Sequence, residues 1–414
     1  MLRLRQLRTQ HGLLVTEPAT GATSVVDTRE AVTAQVRAVT MRLGDASLPT
    51  ADPRISSATF SACYLFDVAD TIDLKRLENI GGQSFQPAPL SRTIPTPEAI
   101  QFAVPPRVAT LSEVTVRDRT GSTRAKIYDY GVISIGFTFP YAGSWSSFIQ
   151  LASDLRADDT LPTLARERVQ TVLQECGAAL VEPHEPLVED YFINTIEQLE
   201  EPRDSQALLD GLRSQLVRLM LAETGPLSQS EESEALRFNF SYFPDDLVVV
   251  QWDSAFIFDS HADAEVVADL LEFANSQLVE FRTYDARLDA ELDVIYAADF
   301  PPRARFRPMR RRGIEQRAAQ LSYLMVDIRE LADRATNALK ITGDAYYARI
   351  YRAIAARLGL DVWQRQIESK LDAVGDVYRY LVDEAQVARS EFLELIVIVL
   401  IGIEIVVGIL GLRH

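Results

Sequence analysis

Residues 395–412 read LIVIVLIGIEIVVGILGL, with fourteen aliphatic residues, three glycines and a single charge, Glu404. As a helix this stretch rises ~27 Å, close to the ~30 Å of a bilayer's hydrocarbon core. Its aliphatic side chains favour insertion by about 6 kcal/mol in sum, against about 3 kcal/mol for one central carboxylate. The balance predicts one transmembrane helix over 395–412. No earlier segment is as apolar, so the expectation is a tail-anchored, single-pass membrane protein. Its bulk would face the cytoplasm, or the matrix if the membrane is mitochondrial.

An acid within a membrane rarely faces lipid. Glu404 shares a helix face with Val397, Ile401, Gly408 and Gly411, and small residues let a second backbone approach closely. Glu404, Gly408 and Gly411 are therefore the candidate packing residues of a homo-oligomer, a plainer reading of the acid than proton or ion handling.

Upstream, Val374, Tyr378, Leu381, Ala385, Ala388, Phe392 and Leu395 recur at alternating spacings of four and three, a heptad seam leading into the apolar run. An earlier arm, 313–341, carries Leu324, Ile328, Leu331, Ala335 and Ala338. Gly359 predicts a break before a final helix near 361–412. Residues 262–300 have helical periodicity, ended by Pro301 and Pro302. Together these predict a helical hairpin or coiled-coil stalk over 261–394.

The amino-terminal half is patterned differently. Alternating apolar residues in 59–68, 125–139 and 246–259 predict strands, and helices are expected at 70–80, 145–155, 164–176 and 191–200. Six prolines between Gly81 and Pro106 mark an irregular connection, and 222–233 reads as a linker. Gly131, between apolar strand residues, suits a turn, a bulge or a close backbone approach. The fold class expected is an α+β soluble domain over 55–260 after an extension, 1–54, followed by the helical stalk and the transmembrane helix.

Signals for chemistry are sparse. There is no phosphate-binding glycine loop, no H-E-x-x-H and no G-x-S-x-G. Two cysteines, Cys63 and Cys176, form neither a disulfide framework nor a zinc spacing. His184 and His261 lie in expected turns, and Asp285, Asp289, Glu291 and Asp293 suit an ion-paired helix face better than a metal. Trp252 and Asp253 follow a valine strand and read as a rim tryptophan with a turn aspartate. No catalytic residue, metal or cofactor is expected.

The net charge of −17 repels nucleic acid and anionic lipid over most of the surface. The local exception is RARFRPMRRRG, 303–313, where Arg303, Arg305, Arg307, Arg310, Arg311 and Arg312 make a candidate contact for an anionic macromolecule.

Residues 346–410, with Leu393-Glu394 before the isoleucine-rich run and Ile403-Glu404 inside it, resemble the carboxyl-terminal module of the required-for-meiotic-nuclear-division (Rmd/YagE-like) family. Y128-DYGVISIGF-137 resembles that family's aromatic-Gly-Val-Val strand, with Gly136-Phe137 in place of its aromatic-Trp ending. The resemblance implies a membrane-anchored, oligomer-forming protein without catalytic residues, and the ribosome as a possible partner.

The expected function is a tail-anchored, self-associating scaffold that binds a macromolecular partner. The alternatives are a CorA-like ion-transport assembly, although the second membrane helix and Gly-Met-Asn loop of that class are missing, and a membrane-anchored enzyme with a site near Asp253.

Overall fold

The computed structural model describes residues 52–77, 79, 80, 83, 84, 86, 87, 104–223, 225–259, 261–297, 326 and 345–411. Among the described residues eleven strands run in chain order: β1 Arg54–Ile72, β2 Asn79–Ile80, β3 Gln83–Ser84, β4 Gln86–Pro87, β5 Arg107–Val116, β6 Arg119–Ile127, β7 Val132–Ser144, β8 Leu180–Leu199, β9 Asn239–Phe240, β10 Leu247–Val250 and β11 Ser254–Phe258. The helices are α1 Trp145–Arg156, α2 Thr160–Cys176, α3 Ser205–Gly211, α4 Arg213–Leu221, α5 Gln229–Ala235, α6 His261–Ala297, α7 Ala345–Leu358 and α8 Leu360–Gly411.

Nine strands form one mixed sheet in the order β4-β5-β6-β7-β1-β8-β11-β10-β9, and β2 and β3 pair separately. Neighbours are antiparallel except β8 and β11, which run parallel. Successive side chains of a strand point to opposite faces, and β1 shows what each face meets. Phe60, Ala62, Tyr64, Phe66 and Val68 join a core closed by Trp145 and Phe148 of α1, Val169 and Val172 of α2, and Leu216 and Met220 of α4. Cys63 and Leu65 join a second core with Val267, Leu270, Leu271, Ala274 and Phe281 of α6, Ile350, Tyr351 and Ile354 of α7, and Ile367, Leu371 and Val374 of α8. The sheet is therefore the middle of three layers.

Several sequence expectations hold. Helices stand at 145–156 and 160–176, α1 opens on Ser144, whose side chain accepts from Ser147 N, and α6 covers most of 262–300. Gly359, at φ +68°, separates α7 from α8, and the Val362 and Trp363 amides donate to its carbonyl.

Two expected helices are absent. Residues 191–200 lie mostly in β8, between β1 and β11. Residues Tyr191 to Ile196 are all buried, so a strand covered on both faces has no polar alternation to distinguish it from a helix. At 70–80, β1 continues to Ile72 and Asp73 then makes a turn, its carboxylate accepting from Lys75 N at 3.1 Å. The linker expected at 222–233 contains the start of α5, capped by Ser228. The proline-rich connection lies mostly outside the described residues.

The stalk and the membrane span are corrected. As far as Val374, the helices after 260 are one layer of the folded unit rather than a free coiled coil; the arm 313–341 lies outside the described residues, apart from residue 326. Among the described residues no helix is long and apolar enough to cross a membrane. The single-pass, tail-anchored architecture and the location derived from it therefore do not stand. Helix α8 does run through the expected span to Gly411, but its described surroundings end at Ile405.

Candidate functional site: a buried charge network beneath a long helix

Arg124 and Lys126 are two residues apart on β6, so both point to the α6 side of the sheet. Across the strands Arg124 pairs with Gly136 of β7, which pairs in turn with Cys63 of β1. A Cβ on Gly136 would press on Arg124 Cγ and Nε at 3.3 Å, so the glycine makes room for the guanidinium. From above, Asp269 and Glu272 descend from one face of α6, at the three-residue spacing that makes helical neighbours.

Lys126 Nζ lies 2.7 Å from Asp269 Oδ1 and 2.6 Å from Glu272 Oε2. Arg124 Nη2 lies 2.8 Å from the same Glu272 oxygen and 3.9 Å from Asp269 Oδ1. Two cations thus meet two anions, with the Glu272 side chain fully buried.

Burial alone would raise the Glu272 pKa, but Lys126 and Arg124 outweigh it and bring the carboxyl down to about 2. Burial would lower the Lys126 pKa, and Asp269 and Glu272 raise it instead. The Glu272 charge also raises Arg124. Beneath them, burial first and Glu272 second push the Cys63 thiol up to about 12. The network holds its charges firmly and leaves its thiol protonated.

Further pairs fasten α6 along its length. Arg282 pairs with Glu189 of β8, and Arg287 Nη1 lies 2.7 Å from Asp70 Oδ1 of β1. Lys370 of α8 bridges Asp285 at 2.7 Å and Asp289 at 2.6 Å, as the ion-paired reading of those acids requires. Near the Arg287 pair, His184 Nε2 stands 3.5 Å from Asp67 Oδ1, and the Asp67 side chain is buried. Burial would lower the histidine's pKa; its hydrogen bond and charge interaction with Asp67 raise it.

The turn proposed for an enzymatic site is occupied by structural bonds. Arg156 donates to Asp253 Oδ2 and, at 2.8 Å, to the Met220 carbonyl, while its guanidinium lies 4.9 Å from the Phe192 ring centroid. Gln251 N donates to Ser254 O at 2.8 Å, closing the turn and leaving Trp252 63% exposed. Among the described residues no group of three or more histidine, cysteine or acidic side chains could hold a metal ion.

The sequence-based candidates lie elsewhere. Glu404 is exposed on α8, with Ile403 and Ile405 beside it more than half exposed. Gly408 and Gly411 fall on the same helix, beyond its described surroundings. Arg303, Arg305, Arg307, Arg310, Arg311 and Arg312 lie outside the described residues. Sequence reasoning missed Arg124, Lys126, Asp269 and Glu272. The available signals were two cations at strand spacing between apolar residues, and two acids at helical spacing on the otherwise apolar α6 face.

This arrangement defines an α+β protein whose central sheet is stitched to a long helix by internal ion pairs. The family described as "Uncharacterized protein MJ0711, N-terminal domain" matches residues 57–265, just over half of the chain, and the chain belongs to that family. It is 22% identical over 208 residues to the uncharacterized protein MJ0711 of Methanocaldococcus jannaschii, a stretch covering 50% of this chain and 62% of that relative. No solved structure matches. The resemblance to the Rmd/YagE-like family is overturned: the family match rests on the sheet and its first helices, whereas that resemblance rested mainly on aliphatic and heptad patterns common to many helices.

Proposed function

We propose that this chain is a non-catalytic, self-associating scaffold. The observation that carries the reading is the apolar run on α8, where Ile396, Val397, Ile398, Val399, Leu400, Ile401, Ile403 and Ile405 are all exposed, by 37–62%. Folded proteins rarely leave contiguous apolar surface of more than a few hundred Å² open to water, and larger patches mark interaction sites. Within the charge network, Glu272 is driven down to about 2 and Cys63 up to about 12, far from the pKa near the operating pH that suits a general acid or base.

The arginine-rich run 303–312 remains, on sequence grounds, the proposed contact for an anionic macromolecular partner. A ribosomal partner loses its support with the family resemblance that suggested it.

The test is sedimentation velocity of the full chain at micromolar concentration, beside an Ile398→Asp, Ile401→Asp variant. Because both positions are exposed, folding should survive. The wild type is expected as a multi-subunit species and the variant as single subunits; a wild type that sediments as a single subunit refutes the reading.

A further inference from the structure

We infer that the occupant of the α8 end is further copies of this chain packed in parallel, and that the charge on Glu404 limits how tightly they hold. The inference rests on the self-association proposed above and adds its geometry and its control.

The aliphatic residues 396–401 are consecutive and exposed, so they point to every side of the helix. One neighbouring helix covers only one side; closing more of the surface takes several neighbours around a rotation axis. Eight large aliphatic side chains, each roughly half exposed, offer on the order of 700 Å² per copy, comparable to the ~800 Å² per partner of a standard protein interface. Every copy carries the same run, so a closed symmetric ring buries it in all subunits without a second component. Rotation about an axis along the helices makes them parallel and brings residues of equal number to equal height.

That symmetry gathers the Glu404 carboxylates at one level. On α8 no lysine, arginine or histidine occurs between Leu395 and Gly411, and the nearest acid upstream, Glu394, is also exposed. It lies ten residues away, about 15 Å along the axis and beyond a Debye length of ~8 Å. Among the described residues no other element packs on Glu404, so the groups that face it in the ring are its own copies. Several like charges in an apolar bundle oppose association, as a polar residue at a coiled-coil core position lowers stability while fixing register. Protonation removes the repulsion and lets the carboxyls share hydrogen bonds. Assembly therefore takes up protons and tightens on acidification.

Sedimentation velocity of the full chain across a concentration series, at about pH 5 and about pH 8, tests this with wild type and Glu404→Gln. The wild type is expected to associate several-fold more tightly at the lower pH, because fewer carboxylates then repel one another. Glu404→Gln should associate at least as tightly as the wild type does at the lower pH, and equally at both pH values. Because Glu404 is exposed, the variant should fold, and its far-ultraviolet spectrum checks this. Equal wild-type association at the two pH values, or an undiminished pH response in Glu404→Gln, overturns the Glu404 control and leaves self-association standing. Single subunits throughout, or single subunits that float with phosphatidylcholine vesicles, overturn both.

Discussion

At the scale of single residues, the strongest constraint is the pairing of buried charge. Removing one member of a buried ion pair typically costs about 3–5 kcal/mol, because its partner is left desolvated and uncompensated. Glu272→Gln should lower stability by about that amount in urea denaturation, whereas replacing Glu272 and Lys126 together with methionine should cost much less. Because the folded fold-state carboxyl sits at about 2 against an ordinary 4.5, its contribution is present above 4.5 and is lost as pH falls through about 2. That is about 3 kcal/mol, and Glu272→Gln should lack this acid slope. His184 has the opposite sign. Its raised pKa gives stability that is complete below 6.5 and lost as pH rises through the folded value. Urea titrations between pH 6 and pH 9 should show a decline in the wild type that is absent in His184→Gln.

At the scale of elements, two glycines separate conformational cost from steric cost. Gly131 has φ +93°, and a Cβ there would overlap the Ala69 carbonyl, which lies against it while Val68 N donates to Gly131 O at 3.0 Å. Gly359 has φ +68° with open space around its missing Cβ. Gly359→Ala should cost about 1 kcal/mol, the left-handed penalty alone, and Gly131→Ala distinctly more, read as paired denaturation midpoints. Both glycines were legible in the sequence, one between strand residues and the other between helices. Helices α1 and α2 were legible because a single stripe of each meets a core, and α6 because its apolar residues keep helical spacing although 270–281 is buried on every side. Segment 191–196 was not: both faces of the strand are covered, so even Asn194 and Thr195 are buried and no apolar/polar alternation marks a strand.

At the scale of the whole molecule, the α+β class was legible, but strand order and the charge network were not. Arg124 and Asp269 are far apart in the chain, and only the register of β6, β7 and β1 beneath α6 brings them together. The run after Leu395 dominated the sequence reading because its composition is extreme, and that weight carried the reading to a membrane architecture that the described helices do not support. Its exposure is what remains, and it now bears on assembly.

The second layer has a consequence for how this protein can be divided. A piece ending at residue 265 would retain every described strand yet lose nearly all of α6, together with α7 and α8. Arg124 and Lys126 would forfeit both counter-ions, and Leu65, Ile193, Val248 and Ile257 would be turned to water. Such a fragment should precipitate on expression, while one extended through Val374 should remain dispersed, as light scattering would report. The end of the family match at 265 and the last residue of the second core, Val374, thus lie more than a hundred residues apart.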